Sequence, residues 1–290
     1  MSKTASILVV SLVLVIANAG CRPLIQTPFM TPFLPTQTPR FGSTFVSTTD
    51  GMTLLFVPAG EFPMGSVTGL VDEQPQHTVF LDGFWIDETE VTNAMYAGCV
   101  QVGACQQPSV TTYYKDSAYS NHPVTYASWV YAKTYCIWAG RRLPTEAEWE
   151  KAASWDPVNN EKRVYPWGNI FDCKKGNFVD SECDGFTGTA PVRSFPSGVS
   201  PYGALDMGGN VWEWVHDAFL ETDPMTGKTE NYYAISPTSN PQGVDPSVTV
   251  YRILRGGAWK NNYGLGRSAY RLWFGLDDSY DFGGFRCAYP

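Results

Sequence analysis

Two stretches concentrate residues whose types and spacing bear chemistry. The first is "DMGGNVWE", which sets the Asp206 and Glu213 carboxylates on either side of a glycine turn, with the Gly209 and Val211 carbonyls between them. Calcium takes six to eight oxygen ligands and accepts backbone carbonyls, so this oxygen-only pattern suits Ca²⁺. The second is "RGGAWKNNYGLGRSAYRLW". It crowds Trp259, Asn261, Asn262, Tyr263, Arg267, Tyr270, Arg271 and Trp273 into a segment too irregular for a helix. Aromatic faces beside amides and guanidinium groups can stack on, and hydrogen-bond to, a sugar or a peptide. The stretch therefore reads as a ligand pocket, with Trp259 the member most suited to the core. The three histidines, His77, His122 and His216, are dispersed and give no metal-ligand spacing.

These residues need elements to hold them. "MTLLFVPAGEFPMGS" reads as a strand that turns at Pro58–Gly60 into a hairpin, and "HTVFLDGFWIDETEVTN" as a strand handing over to a helix after Thr92. Trp129, Ala132, Cys136 and Ala139 recur at helical spacing, with Gly140 as the stop. Thr145 and Glu148 form a T-x-x-E capping box after Pro144. Beyond Trp155 the chain reads as loop-dominated, with short apolar snippets between glycines.

Composition sets outer limits. Of 290 residues, 43% are hydrophobic and 14% aromatic, with 27 Gly and 21 Pro, a mixture that excludes a helical bundle. The net charge of −8 comes with no basic stripe, which argues against nucleic acid as a partner. Residues 1–20 read as a signal peptide: Lys3, then the apolar run Ile7–Ala17, too short for an ordinary membrane span. "NAGC" then has the form of a bacterial lipoprotein signal with Cys21 as the lipid anchor. Plain secretion is the alternative, because Asn18 departs from the aliphatic residue usual there. Residues 21–50 contain the linker, with five prolines from Pro23 to Pro39 holding it extended. Residues 51–290 form one domain. The expected location is extracytoplasmic, with contact to the membrane through the lipid alone.

Six further cysteines, an even number in an exported chain, point to disulfides. Cys99 and Cys105 frame one short loop, and Cys173 and Cys183 another, leaving Cys136 and Cys287. Six cysteines permit fifteen pairings, so the alternatives stay open on spacing alone.

The ordered set "FVPAGEFPMGS", "ETEVTNAMY", "HPVTYASW", "YCIWAGRRLPTEAEWEKAA", "YPWGN", "DGFTGTAPV", "DMGGNVWEW", "RILRGGAW" and "GGFRC" resembles the formylglycine-generating enzyme, or sulfatase-modifying factor, family. The resemblance covers nearly all of residues 52–288. It implies an α+β, C-type-lectin-like fold with few regular elements, several short strands and about three helices. It also implies a Cys136–Cys287 disulfide, a calcium site at Asp206, Gly209, Val211 and Glu213, and a second at Asn177, Phe178, Asp184 and Phe186. Members of that family convert a peptidyl cysteine into formylglycine with copper and oxygen, using two thiolates that suit soft Cu(I). The first thiolate position is Asn261 here, the second falls within Tyr263–Gly266, and no cysteine lies between Cys183 and Cys287. The expectation is a calcium-holding, copper-free surface module that binds a protein, peptide or carbohydrate and has no catalytic residues. The alternative is a formylglycine-generating or other oxidoreductase acting on a protein or peptide. Related proteins diversified by retroelements in this same loop make a variable binder a further form of the first reading.

Overall fold

The computed structural model describes residues 38–179, 185–220, 232–245, 247 and 249–290. The signal segment, Cys21 and most of the linker lie outside the described residues, as do Cys183 and Asp184. Among the described residues, no helix is long and apolar enough to cross a membrane.

Two small sheets carry the domain. The first runs β1 (Thr44–Val46), β2 (Thr53–Val57), β5 (Phe84–Asp87) and β12 (Ala288–Tyr289), all neighbours antiparallel. β3 (Gly60–Met64) pairs with β4 (His77–Leu81) instead of β2, so the hairpin expected at Pro58–Gly60 does not form. The chain does turn there, but β2 is already flanked on both edges by β1 and β5, which sends β3 elsewhere.

The second sheet has the order β10 (Leu272–Gly275), β9 (Tyr251–Arg255), β8 (Trp212–Ala218), β11 (Gly283–Gly284). It arises from the half of the chain that reads as loop. Glu213 pairs with Arg255, 42 positions on, and such a long-range ladder leaves little local signature. Two further short strands, β6 (Trp155–Asp156) and β7 (Glu161–Lys162), pair with each other.

The helices follow the sequence closely. α1 (Asn93–Gln101) starts on Thr92, whose side chain accepts from the Met95 amide. α2 (Trp129–Trp138) buries Trp129, Ala132, Tyr135 and Cys136, and Gly140 takes the left-handed conformation just past its end. α3 (Glu146–Ser154) carries the complete capping box, Thr145 to the Glu148 amide and Glu148 back to the Thr145 amide. A one-turn α4 spans Tyr232–Ile235.

Two apolar clusters result, one around α1 and α2 with Trp212 and Trp214, the other around β2–β4 and α3 with Trp149. Disulfides join Cys99 to Cys105 and Cys136 to Cys287. The second ties α2 to the C-terminal strand across 151 residues, a closure that stabilises by roughly 5 kcal/mol on chain-entropy grounds. Cys173 is also disulfide-bonded, but the Cys173–Cys183 pairing involves a residue outside the described set.

Candidate functional site

β9 delivers the chain into Gly256 and Gly257, both at positive φ. A Cβ on Gly257 would stand 3.0 Å from the Gly266 Cα, and one on Gly266 would meet the Phe178 ring at 2.4 Å. The loop from Trp259 to Arg271 is therefore closed on its own backbone, and only glycine permits that approach.

Asn261 sits at the centre of this closure. Its Oδ1 accepts from the Trp212 indole at 2.7 Å, its amide donates to Ala258, and its carbonyl accepts from Val179. The second expected thiolate position is a short 3₁₀ turn, Tyr263–Gly266, capped by the Asn262 side chain. One amide oxygen already engaged with an indole, with no cysteine at either expected position, does not fit copper.

The remaining loop residues divide. Trp259 is half-buried, with its indole donating to the Asp281 carbonyl, and Tyr263 is 48% exposed and stacks on Phe171 with centroids 4.5 Å apart. Tyr270 lies under the Arg267 guanidinium. Arg267, however, grips both Glu73 oxygens at 2.6 and 2.7 Å. Arg271, 5% exposed, holds Glu146 through two hydrogen bonds, and Trp273 stacks on Phe219. The structure thus removes Arg271 and Trp273 from the expected pocket: the first is neutralised inside the protein, and the second is packed against another ring.

Behind the loop lies a buried ion lattice. Arg255 reaches Glu146 and Glu150, Arg271 shares Glu146, and Lys162 caps Glu150. Burial opposes the charge on Arg271, but Glu146 overrides it and holds the guanidinium above its ordinary range. Asp217, which accepts from the Glu146 amide, is pushed well up by burial and by Glu146.

The calcium-type residues form a second buried cluster. Glu213 is held by Arg286 on both oxygens and by the Trp149 indole. Asp206, at positive φ, accepts from the Arg193 amide. Burial raises Asp206 to about 6, with Glu213 adding to the rise. Glu90, which the sequence reading passes over as part of "ETEVTN", joins them. One oxygen accepts from Asn210, while the other is buried with no hydrogen-bond partner among the described residues. Its pKa stands well above the carboxylate range through burial, then Asp206 and Glu213. The signal available in the sequence was two glutamates closing a buried apolar strand.

Gly209 packs directly on Asn177, leaving 2.5 Å between a Cβ there and the Asn177 carbonyl, and this joins the two calcium-type segments. Asn177 donates to Gly188 and Asn210, and its Oδ1 is buried without a donor among the described residues. Phe178 is buried and Phe186 packs edge-on against Phe195. Orphaned buried oxygens on Asn177 and Glu90 are what a hard cation would satisfy. Among the described residues, no group of three His, Cys, Asp or Glu side chains stands in metal-holding geometry. The histidines remain apart in role: His77 contacts the Pro75 carbonyl, His122 the Thr189 hydroxyl, and His216 lies along β8.

A mixed α+β domain of short strands, closed by a glycine loop over buried ion clusters, defines a C-type-lectin-like domain of the formylglycine-generating type. The chain belongs to the family described as sulfatase-modifying factor enzyme 1-like, which matches residues 42–289. It is 34% identical over 294 aligned residues to a formylglycine-generating enzyme of Streptomyces coelicolor, covering 80% of this chain and 87% of that one. It is 36% identical over 256 residues to the serine/threonine-protein kinase pkn1 of Chlamydia caviae, spanning 81% of itself but 37% of the kinase. The structure of PvdO from Pseudomonas aeruginosa superposes with a TM-score of 0.70 at 25% identity, covering 87% of this chain and 99% of PvdO. The domain's relatives thus include oxidoreductases.

Proposed function

We propose that this domain is an extracytoplasmic ligand-binding module of the family, lipid-anchored through Cys21, that does not generate formylglycine. One observation carries the reading: the family's first thiolate position is an asparagine whose oxygen is bound to the Trp212 indole. A thiolate pair is what the copper chemistry needs, and the loop has neither member. The exposed face left at the loop, Asn262 and Tyr263 with the edge of Trp259, supplies an amide, a phenol and an aromatic surface for a protein, peptide or carbohydrate ligand. Calcium would be held at the paired segments around Asn177 and Asp206, with Glu90 beside them, where it would supply positive charge to buried oxygens.

The 34% identity to a formylglycine-generating enzyme favours the second reading, an oxidoreductase acting on a peptide. Incubating the full chain with copper, oxygen and a CxPxR peptide separates the two. The expected mass spectrum contains the unmodified cysteine alone, and a formylglycine product would overturn the proposal. Labelling with a radioactive fatty acid, abolished by Cys21→Ala, is expected if the anchor is as read.

A further inference from the structure

A cleft of about 310 Å³ opens elsewhere on the domain, walled by the β4–β5 turn, the start of α3, β8 and residues 240–242. That volume is at the small end for ligand sites. Leu81, Phe84 and Pro241 make its apolar wall. The charged groups lining it are already engaged. Arg142 holds both Glu148 oxygens at 2.6 and 2.7 Å, and Asp82 exchanges two hydrogen bonds with the Asn240 side chain.

Two groups are not engaged. The His216 imidazole and the Gln242 amide line the cleft, and neither bonds to any described residue. Burial lowers the His216 pKa, Lys133, Arg142 and Arg252 lower it further, and Glu148 opposes them. The ring is therefore uncharged near neutral pH and offers one N–H donor and one acceptor nitrogen. Gln242 likewise presents donor and acceptor together.

The Arg142 guanidinium and Glu148 carboxylate cancel each other, and the remaining side-chain carboxylate, Asp82, already accepts from the Asn240 amide, so the lining offers no unpaired positive charge for an anion and one engaged carboxylate for a cation. A hydroxyl both donates and accepts, which matches the two unengaged groups, and the C–H edges of a sugar ring match the apolar wall. We infer that this cleft is a binding site for a neutral mono- or disaccharide, with hydroxyls on His216 and Gln242 and ring carbons against Leu81, Phe84 and Pro241. The site shares no residue with the C-terminal loop, so its failure and the failure of the proposed loop function are separate results.

The test follows histidine resonances by NMR in the full chain carrying ¹³C-histidine. The titrants are glucose, galactose, mannose, N-acetylglucosamine and maltose, with glucuronate and sulfate as charged arms. At least one neutral sugar is expected to shift the His216 signal saturably while His77 and His122 stay still. Gln242→Ala, on an exposed residue, should bind roughly tenfold more weakly, the loss of about one hydrogen bond. His216→Gln assigns the signal, and its melting temperature reports whether the fold is intact. A His216 shift with glucuronate or sulfate alone would make this an oxyanion site and overturn the inference. So would silence across the five neutral sugars.

Discussion

The two buried ion clusters differ in balance. Under the C-terminal loop, the carboxyls of Glu146, Glu150 and Asp217 face the cations of Arg255, Arg271 and Lys162, three against three. Around the calcium-type turn, Glu90, Asp206 and Glu213 face Arg286, three against one. Both sit away from water, where an unpaired charge is costly. The first cluster compensates itself and serves as scaffold. The second has two more carboxyls than cations; burial raises Glu90 and Asp206, and their acidic neighbours add to the rise, while in the first cluster burial raises Asp217 as well. Either protons or a divalent cation can relieve such an excess of carboxyls.

The sharpest way to break this contrast is to remove one cation from each cluster. Arg271→Ala leaves Glu146 facing Arg255 alone and should lower unfolding stability by about 3–5 kcal/mol in urea titrations. Arg286→Ala should cost at least as much, because it leaves three carboxyls with no buried cation. A loss under about 1 kcal/mol in either would show that the lattice is not what holds the loop in place.

Calcium should distinguish the clusters next. With free calcium at about 100-fold its dissociation constant, binding to the folded state adds about 2.7 kcal/mol, and EDTA should remove that increment. The increment should survive Arg267→Ala, which breaks the ties to Glu73, Gly264 and the Tyr270 ring but touches none of the calcium-type residues, and disappear in Asp206→Asn/Glu90→Gln. A melting curve unmoved by chelator would mean that protons, not calcium, relieve the acidic cluster.

Much of the scaffold was legible from local pattern. The capping box of α3, the Thr92 start of α1 and the Gly140 stop are set by residues within a few positions of each other. The absence of thiolates at the loop is read directly from composition. The lattice was not legible, because Arg271 meets Glu146 across 125 positions and an arginine bound for the interior looks in sequence like one bound for a ligand. Trp273 misled for the same reason, since its partner Phe219 lies on a different segment. Glu90 was hidden inside a motif, and its meaning depends on Asp206 and Glu213 arriving from more than a hundred residues away. The sheet β8–β9–β10 has little local signature because its ladders join distant segments across glycine-rich loops.

Lys151 extends the comparison to a buried cation with no carboxylate. Among the described residues its ammonium donates to the carbonyls of Pro58 and Gly60 alone, and burial lowers its pKa to about 8. The folded value lies below the unfolded value of 10.5, so folding favours the neutral amine. Stability should therefore be highest above pH 10.5, decline as pH falls from there to about 8, and level off below. After allowance for residual solvent screening, the change attributable to this group is roughly 1–2 kcal/mol. Lys151→Met should flatten that segment of the stability–pH curve relative to the parent. An unchanged slope would place the ammonium in contact with water.

The finest discrimination comes from neutralising a carboxylate in each cluster. Glu150→Gln removes an anion that Arg255 and Lys162 both need, so it belongs in sign with the arginine truncations. Glu90→Gln replaces a carboxyl that burial and its acidic neighbours already hold toward the protonated form. In chelator it should change stability by no more than about 1 kcal/mol, since the amide replaces a carboxyl already held toward its protonated form and keeps an oxygen for Asn210. With calcium present the same substitution should turn destabilising, because the ion then loses part of its counter-charge. The difference between the two conditions is the informative readout. Glu90→Gln destabilising equally in both conditions would mean that Glu90 acts through Asn210 alone, and the two clusters would then differ in geometry but not in charge balance.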